Sequence, residues 1–365
     1  DFDNMHKILR PLTKTNSKLS SFLRRVLYPD VARVEDAFER SSHTIFKGKN
    51  VAIASSGGPD STALCLLVNK YNPRKNKIKV FTVDHNLRGE ESKTEVERVR
   101  RWTTDIMGFE HHSAQIQWDD DSKSTHAKSK MKREEVLREM CELHGIDVLL
   151  LGHHADDQIE TMLQRVYKAS GLSGLSSIPS SRRFGYHGTR IVRPLLDFRK
   201  HELVRTCEAY GFEDYVRDPS NENERYDRAR IRHVLKSRDS TKIASLTSLT
   251  ETCREAENRV REEILTLLKD RIIRTNDLYN FGVLDLKGFE NLSDTLKRRV
   301  LSYMFSFVSP FDSYKVKSET LERFLTLLHE GGGGGRGVEK RLRLKRNFTA
   351  ALGMAGRWES DGSAV

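Results

Sequence analysis

The chain has 365 residues, 37% hydrophobic and 32% charged, with a formal net charge of +11. That length holds two or three domains with real cores, and no apolar run reaches the roughly 18 residues of a membrane-spanning helix, so no membrane partner is expected. The basic balance means either ordinary solubility or a polyanionic partner such as nucleic acid. The cysteines, Cys65, Cys141, Cys207 and Cys253, are widely spaced with no Cys-x-x-Cys pair. They exclude a zinc ribbon or redox dithiol and point to reduced thiols in an intracellular compartment.

Residues 1–47 read as a basic N-terminal arm. Between Met5 and Tyr28 Lys, Arg, Ser and Thr recur without a single acid. That composition suits an organellar transit peptide, hence the mitochondrial matrix, or a solvated arm that helps bind RNA in the cytoplasm. Apolar strands are then expected at Val51–Ala54, Ile78–Val83, Ala114–Ile116 and Val148–Leu151, alternating with helices at Thr62–Asn69, Glu95–Met107 and Arg133–His144. Strands alternating with helices predict an α/β domain with a doubly wound parallel sheet. A Gly- and Ser-rich stretch, Ser170–Ser181, reads as a lid, a substrate loop or a plain surface loop. Ile191–Leu196 is a short apolar run, and Arg199–Tyr210 reads as a helix closed by Gly211. Asp218-Pro219-Ser220-Asn221 signals a turn, followed by the arginine-rich segment to His233. A boundary near 240 separates a catalytic domain, 48–239, from a helical region, 240–330. Within that region Ser240–Asp270, Leu284–Leu296, Val300–Phe307 and Ser318–Leu328 all read as helix. Five glycines, Gly331–Gly335, open a 331–365 linker and basic tail in which Arg341–Leu352 suggests a hairpin.

Ligands of such sheets sit at the carboxyl ends of the strands, and three distinctive segments fall there. Ser56-Gly57-Gly58-Pro59-Asp60-Ser61 follows the first strand and enters a helix. Two glycines before a helix N-terminus make a cradle of backbone N–H groups for an anion. Ser56 and Ser61 add hydroxyls, and Asp60 can hold a metal or orient a nucleophile. The segment lacks the Gly-Lys-Ser/Thr of a Walker loop and resembles the pyrophosphate loop of ATP pyrophosphatases. The second segment, Asp84-His85-Asn86-Leu87-Arg88, follows Val83. The third, Gly152-His153-His154-Ala155-Asp156-Asp157, opens a helix in which Asp157 and Glu160 share a face. Acids in a first turn serve as dipole partners and caps, or, beside a triphosphate, as ligands for Mg²⁺ or for an ammonium group. His153 and His154 can donate to phosphate or a base.

These motifs together, with Gly171-Leu172-x-Gly174-Leu175, Arg193-Pro194-Leu195-Leu196, Asp218-Pro219-Ser220-Asn221 and Tyr226-x-Arg228-x-Arg230-Ile231-Arg232-His233, resemble bacterial-type tRNA(Ile)-lysidine synthetases over about residues 48–235. Ala229 departs from the family's usual asparagine. The resemblance implies the PP-loop ATPase fold, like that of the adenine nucleotide α-hydrolases. It implies that ATP adenylates the wobble cytidine of a tRNA(Ile) with a CAU anticodon, and that free L-lysine then displaces AMP to form lysidine. Ser56, Gly57, Gly58, Pro59, Asp60 and Ser61, with Asp84, His85 and His153, would line the nucleotide. By the same resemblance Asp60 handles Mg²⁺ or the adenylate, Asp157 and Glu160 hold the amino groups of lysine, and Arg228 clamps its carboxylate. His85 and Arg88 would lie beside adenine or the anticodon. Arg225, Arg228, Arg230 and Arg232 either meet tRNA phosphates or form a solvated face. A wobble base taken from its stack needs a replacement, for which Tyr167 and Phe184 are candidates. A homodimer is one expected state. Two other readings are carried: a PP-loop tRNA thiolase using its cysteines, and a non-catalytic RNA-binding protein with a vestigial nucleotide fold.

Overall fold

The computed structural model describes residues 28–72, 78–86, 90–118, 126–168, 170–184, 188–212, 215–216, 231, 240–269, 272–276, 281–286, 288–308, 321–326, 340–345, 350–354 and 357–358. It divides into two compact units, one of residues 1–182 and 189–254 and the other of residues 183–188 and 255–365.

In the first unit β1 (Val51–Ala54) and β4 (Val148–Leu151) are buried along their whole length. That is the continuous apolar pattern of a strand covered on both faces. They pair in parallel, Ala54 opposite Leu151. β2 (Ile78–Asp84) pairs in parallel with the other edge of β1, and β3 (Glu110–Gln115) with β2. β6 (Arg190–Val192) extends the sheet from β4, and β5 (Ser181–Arg183) ends it, giving the order β3-β2-β1-β4-β6-β5. The chain leaves β1 in one direction for β2 and β3, and in the other for β4 and β6. The topological switch point therefore lies between β1 and β4, where such sheets open a ligand crevice.

The N-terminal arm drawn to residue 47 needs correction. Helix α1 (Pro29–Phe46) buries Val34, Phe38, Ile45 and Phe46 in the core of this unit. It is further fixed by Arg33–Glu202, Lys70–Glu35 and Arg205–Asp30 ion pairs. Residues 1–27, on which the transit-peptide reading rests, lie outside the described residues. Helix α2 (Pro59–Tyr71) follows the loop after β1, with proline in its first turn where no N–H is missed. Helix α3 (Glu90–Arg101) runs into a π-helical turn, Trp102–Ile106. α4 (His126–Leu143) precedes β4, and α5 (Ala155–Tyr167) follows it. The Ser170–Ser181 stretch is no free lid. It contains a short helix, α6 (Leu172–Leu175), and is bonded to its neighbours at several points described below. α7 (Lys200–Ala209) completes the unit's core.

α8 (Ser240–Lys269) spans the division between the units. In the second unit the stretch expected as helix from Leu284 is instead partly strand: β8 (Phe281–Asp285) pairs antiparallel with β7 (Ile272–Asn276), and α9 begins only at Asp294 and ends at Val308. β9 (Lys340–Lys345) and β10 (Ala350–Met354) form the expected antiparallel pair in the tail. They join β11 (Arg357–Trp358), β8 and β7 in one sheet. Ile264, Leu268, Phe289, Leu301 and Met304 form this unit's core.

Candidate active site

The loop after β1 is built by its glycines and by a serine that sequence reasoning passed over. Gly57 has φ +78°, in the left-handed region. A Cβ there would lie 2.7 Å from the Cγ2 atoms of both Val99 and Val216. Only glycine meets both demands. The buried Ser55 hydroxyl accepts from Gly57 N–H at 3.2 Å and donates to the Ser61 hydroxyl at 3.3 Å, while Ser61 donates to the Gly58 carbonyl at 3.0 Å. Val216 N–H donates to the Gly57 carbonyl at 2.8 Å. The loop is thus held without a ligand. Ser61 is buried in its scaffold, leaving the exposed Ser56 hydroxyl to face solvent.

The second loop, after β4, closes against the first. A Cβ on Gly152 would lie 3.0 Å from the Asp60 carbonyl carbon and oxygen and 3.1 Å from Ser61 N, so any larger residue would push the two loops apart by a few tenths of an ångström. Across that contact His154 meets three carboxylates. Its Nε2 is 3.6 Å from Asp60 Oδ2 and 3.6 Å from Asp157 Oδ2, and its Nδ1 is 3.8 Å from Asp156 Oδ2. Burial pushes the imidazole pKa down. The hydrogen bond to Asp60 and the charges of Asp157, Asp60 and Asp156 outweigh it, so the His154 pKa lies above its ordinary value.

Asp157 serves first as a cap: it accepts from His154 N–H at 3.1 Å and its own N–H donates to His154 Nδ1 at 3.3 Å, a reciprocal capping box for α5. One turn further on, Glu160 is only 2% exposed. Asp156 turns the other way. Arg199 Nε donates to it at 2.7 Å, as does the Lys200 backbone N–H at 2.7 Å. Burial works to raise the Asp156 pKa, but these donors and the Arg199 charge hold it below the usual carboxylate value. Lys200 Nζ also stands 3.8 Å from Asp60 Oδ2. From sequence both His153 and His154 could donate to phosphate or a base and only His153 was set beside the nucleotide, while Asp156, Arg199 and Lys200 were given no role in the site. The one available signal was the run of polar residues opening α5.

Asp60 lies where both loops meet. Its Oδ1 is buried and has no hydrogen-bond partner among the described residues. A buried, uncompensated carboxylate oxygen is costly. It is the hard donor that Mg²⁺ takes together with phosphate oxygens and water, so the residue fits that ion. At the end of β2, Asp84 is buried and shapes the turn: its Oδ1 accepts from Asn86 N–H at 2.8 Å, with Asn86 at φ +52°. The His85 carbonyl accepts from Trp118 Nε1 at 2.8 Å. The structure therefore gives Asp84 and His85 loop-forming contacts at the strand ends. Arg88, Arg225, Arg228, Arg230 and Arg232 lie outside the described residues, so the expected lysine-carboxylate clamp is not located. Tyr167 is 89% exposed, whereas Phe184 is 7% exposed and does not present its ring to solvent. Cys65, Cys141 and Cys207 are buried. Burial raises all three thiol pKa values, that of Cys141 to about 12, and a protonated buried thiol is a poor nucleophile.

A parallel sheet with a glycine-turned loop and an acidic helix start on either side of its switch point is an α/β domain of the kind that uses nucleotides, and a family described as the PP-loop domain matches residues 29–238. Among curated proteins, the tRNA(Ile)-lysidine synthase of Methylobacterium nodulans is 33% identical over 292 residues, covering 78% of this chain and 84% of that one. The tRNA(Ile)-lysidine synthase of Rickettsia bellii is 30% identical over 280 residues, 75% of this chain, and the match spans 63% of its length, less than two thirds. Among solved structures, the U34-tRNA thiolase NcsA from Methanococcus maripaludis, with its [4Fe-4S] cluster, superposes with a TM-score of 0.51 at 15% identity, covering 62% of this chain and 79% of that one. That likeness concerns the fold alone. The chain belongs to the tRNA(Ile)-lysidine synthase family of PP-loop proteins.

Proposed function

We propose that the chain is an ATP-dependent ligase that joins lysine to the wobble cytidine of a CAU-anticodon tRNA(Ile). The observation that carries this reading is the apposition of the Gly57 loop and the His154–Asp157 cap across Gly152, the arrangement expected of a phosphate site beside paired carboxylates. In the first step the cytidine 2-carbonyl oxygen attacks the α-phosphorus of ATP and pyrophosphate leaves. The lysine ε-amine then attacks that ring carbon, and AMP departs with the oxygen.

The residues divide this work. Backbone amides at the start of α2, fixed by Ser55 and Val216, receive the charge that develops on pyrophosphate. Asp60 Oδ1 would hold Mg²⁺, which when bound neutralises phosphate charge. His154, close to three carboxylates, holds the Asp60 side chain in place. Asp157 and Glu160 are assigned to the amino groups of lysine. Loss of a proton from the attacking amine requires a nearby carboxylate in a desolvated place, and Glu160 is buried.

The thiolase reading is less supported, because its chemistry needs reactive thiols and three of the four here are buried with raised pKa values. The test is incubation of the purified protein with ATP, labelled lysine and unmodified tRNA(Ile) transcript. The expected products are AMP, pyrophosphate and lysine-labelled tRNA, with product formation abolished by Asp60→Ala. Tight tRNA binding with no label incorporated, or unchanged AMP output from Asp60→Ala, would overturn the proposal.

A further inference from the structure

The far end of α5 has no part in the phosphate site, yet it is not an ordinary helix terminus. Val166 is 53% and Tyr167 89% exposed, and Lys168 is exposed beside them. The two exposed side chains lie next to each other, and a contiguous exposed apolar patch is a feature of contact surfaces.

The ground behind the ring is built. Arg165 Nη1 donates to the Gly174 carbonyl at 2.8 Å, and Ser170 N–H donates to the Arg165 carbonyl at 2.9 Å. A Cβ on Gly174 would fall 2.5 Å from Ser170 Cβ, so glycine permits the close return of the chain. Further back, the Gln158 side chain, itself 5% exposed, donates to the Ile178 carbonyl at 3.0 Å and accepts from Ile178 N–H at 2.7 Å. The Ser177 hydroxyl donates to the Gln158 carbonyl at 2.7 Å, and Arg193 Nη1 donates to the Pro179 carbonyl at 2.7 Å. These bonds fasten the 170–179 turn to α5 and to the end of β6.

Position and charge select the occupant. Tyr167 stands seven residues after Glu160, two helical turns along the same face, or about 10 Å at about 1.5 Å per residue. That distance is about three steps of a stacked strand at about 3.4 Å each. From Arg165 to Arg183 the sequence contains Arg165, Lys168, Arg182 and Arg183 and no acid. An exposed ring beside an exposed lysine, on a stretch of chain without an acid, matches the stacking platforms on which unpaired bases lie. A protein partner would give no reason for the absence of acids.

We propose that Tyr167 is a stacking platform for an unpaired RNA base close to the nucleotide that enters the site, with Lys168 meeting the adjoining phosphate. The proposal rests on the reading that tRNA is the substrate, and its test separates the two. Binding of an unmodified anticodon stem-loop RNA to the full chain is measured by fluorescence anisotropy at several salt concentrations, for the natural protein and for Tyr167→Ala, Tyr167→Phe, Tyr167→Trp and Lys168→Gln. Tyr167→Ala should weaken RNA binding about 5- to 150-fold, the loss of one base–aromatic stack, with an unchanged salt slope. Phe and Trp should bind within about twofold of Tyr, since each retains a π-face. Lys168→Gln should reduce the slope of log affinity against log salt by about 0.7, one phosphate contact of a single strand. ATP affinity should be unchanged in all four.

Equal RNA affinity of Tyr167→Ala and the natural protein overturns the proposal, as does failure of the natural protein to bind the stem-loop. A sedimentation change in Tyr167→Ala with RNA affinity intact also overturns it, and identifies the patch as a contact between copies of the chain. If the natural protein binds the stem-loop yet incorporates no lysine, the ligase reading falls, while the ratio of Tyr167→Ala to natural affinity still decides the platform.

Discussion

Gly57→Ala tests the physical basis of the phosphate cradle directly. The new side chain meets two separate costs. A left-handed backbone at φ +78° costs a residue with a Cβ about 1–2 kcal/mol. The methyl would also stand 2.7 Å from both Val99 Cγ2 and Val216 Cγ2, and overpacking of this kind costs about 1–3 kcal/mol. The sum, about 2–5 kcal/mol, should appear in urea-induced unfolding followed by circular dichroism. Whatever displacement relieves the clash moves the loop amides, and turnover should fall by about a hundredfold for a shift approaching 1 Å. Introducing the same change into a Val99→Ala/Val216→Ala background removes both clashing atoms and separates the terms. The coupling should return about 1–3 kcal/mol and leave the backbone cost of about 1–2 kcal/mol. Val216 Cβ, at 3.3 Å, still asks for a shift of a few tenths of an ångström. A Gly57→Ala protein as stable and active as the original, or one that gains nothing from the valine truncations, would refute the argument.

Three further outcomes are expected. The His154 imidazole should titrate above 6.5 by NMR, and Asp60→Asn should bring its midpoint down; because its folded pKa is raised, its contribution to stability is complete below 6.5 and fades as pH rises through the folded value. A midpoint at or below 6.5 would mean that burial outweighs the carboxylates. Asp156→Asn should destabilise the first unit by about 1–3 kcal/mol by leaving Arg199 imperfectly paired, read as a lower urea midpoint, whereas no change would mark the pair as a solvated contact. Replacing all four cysteines with alanine should leave lysine incorporation at a substantial fraction of the original, and complete loss in a folded protein would revive the sulfur-transfer reading.

How far the site was legible from sequence depended on the range of the forces that build it. Gly57 could be read because the requirement is local: a strand must turn into a helix through a backbone conformation that side chains resist. The same holds for the acids opening α5, whose cap lies three residues away. Arg199 could not be read as a partner of Asp156, because it is 43 residues distant and only the parallel order of β4 and β6 brings them together. β3 was placed a few residues late, since an edge strand of sequence Glu-His-His-Ser-Ala-Gln lacks the apolar run that marks an interior one. α1 was lost inside a basic arm because composition averages over exactly the feature that matters, the spacing of Val34, Phe38 and Ile45 along one helix face.

The choice between His153 and His154 has the same physical root. Adjacent residues at a strand-to-helix junction point apart, and sequence gives no means of choosing which faces inward. The cap settles it: with Asp157 bonded back to the His154 backbone, the His154 ring is drawn in over the helix start and toward Asp60. Asp60 itself comes this close because Gly152 lacks a side chain that would press on its backbone. One glycine after β4 thus brings Asp60 up to the histidine that the cap selects, and Gly152→Ala should disturb the His154 titration before it disturbs the sheet. A normal His154 midpoint in folded Gly152→Ala would show that the close approach of the two loops is not what sets the charge of the site.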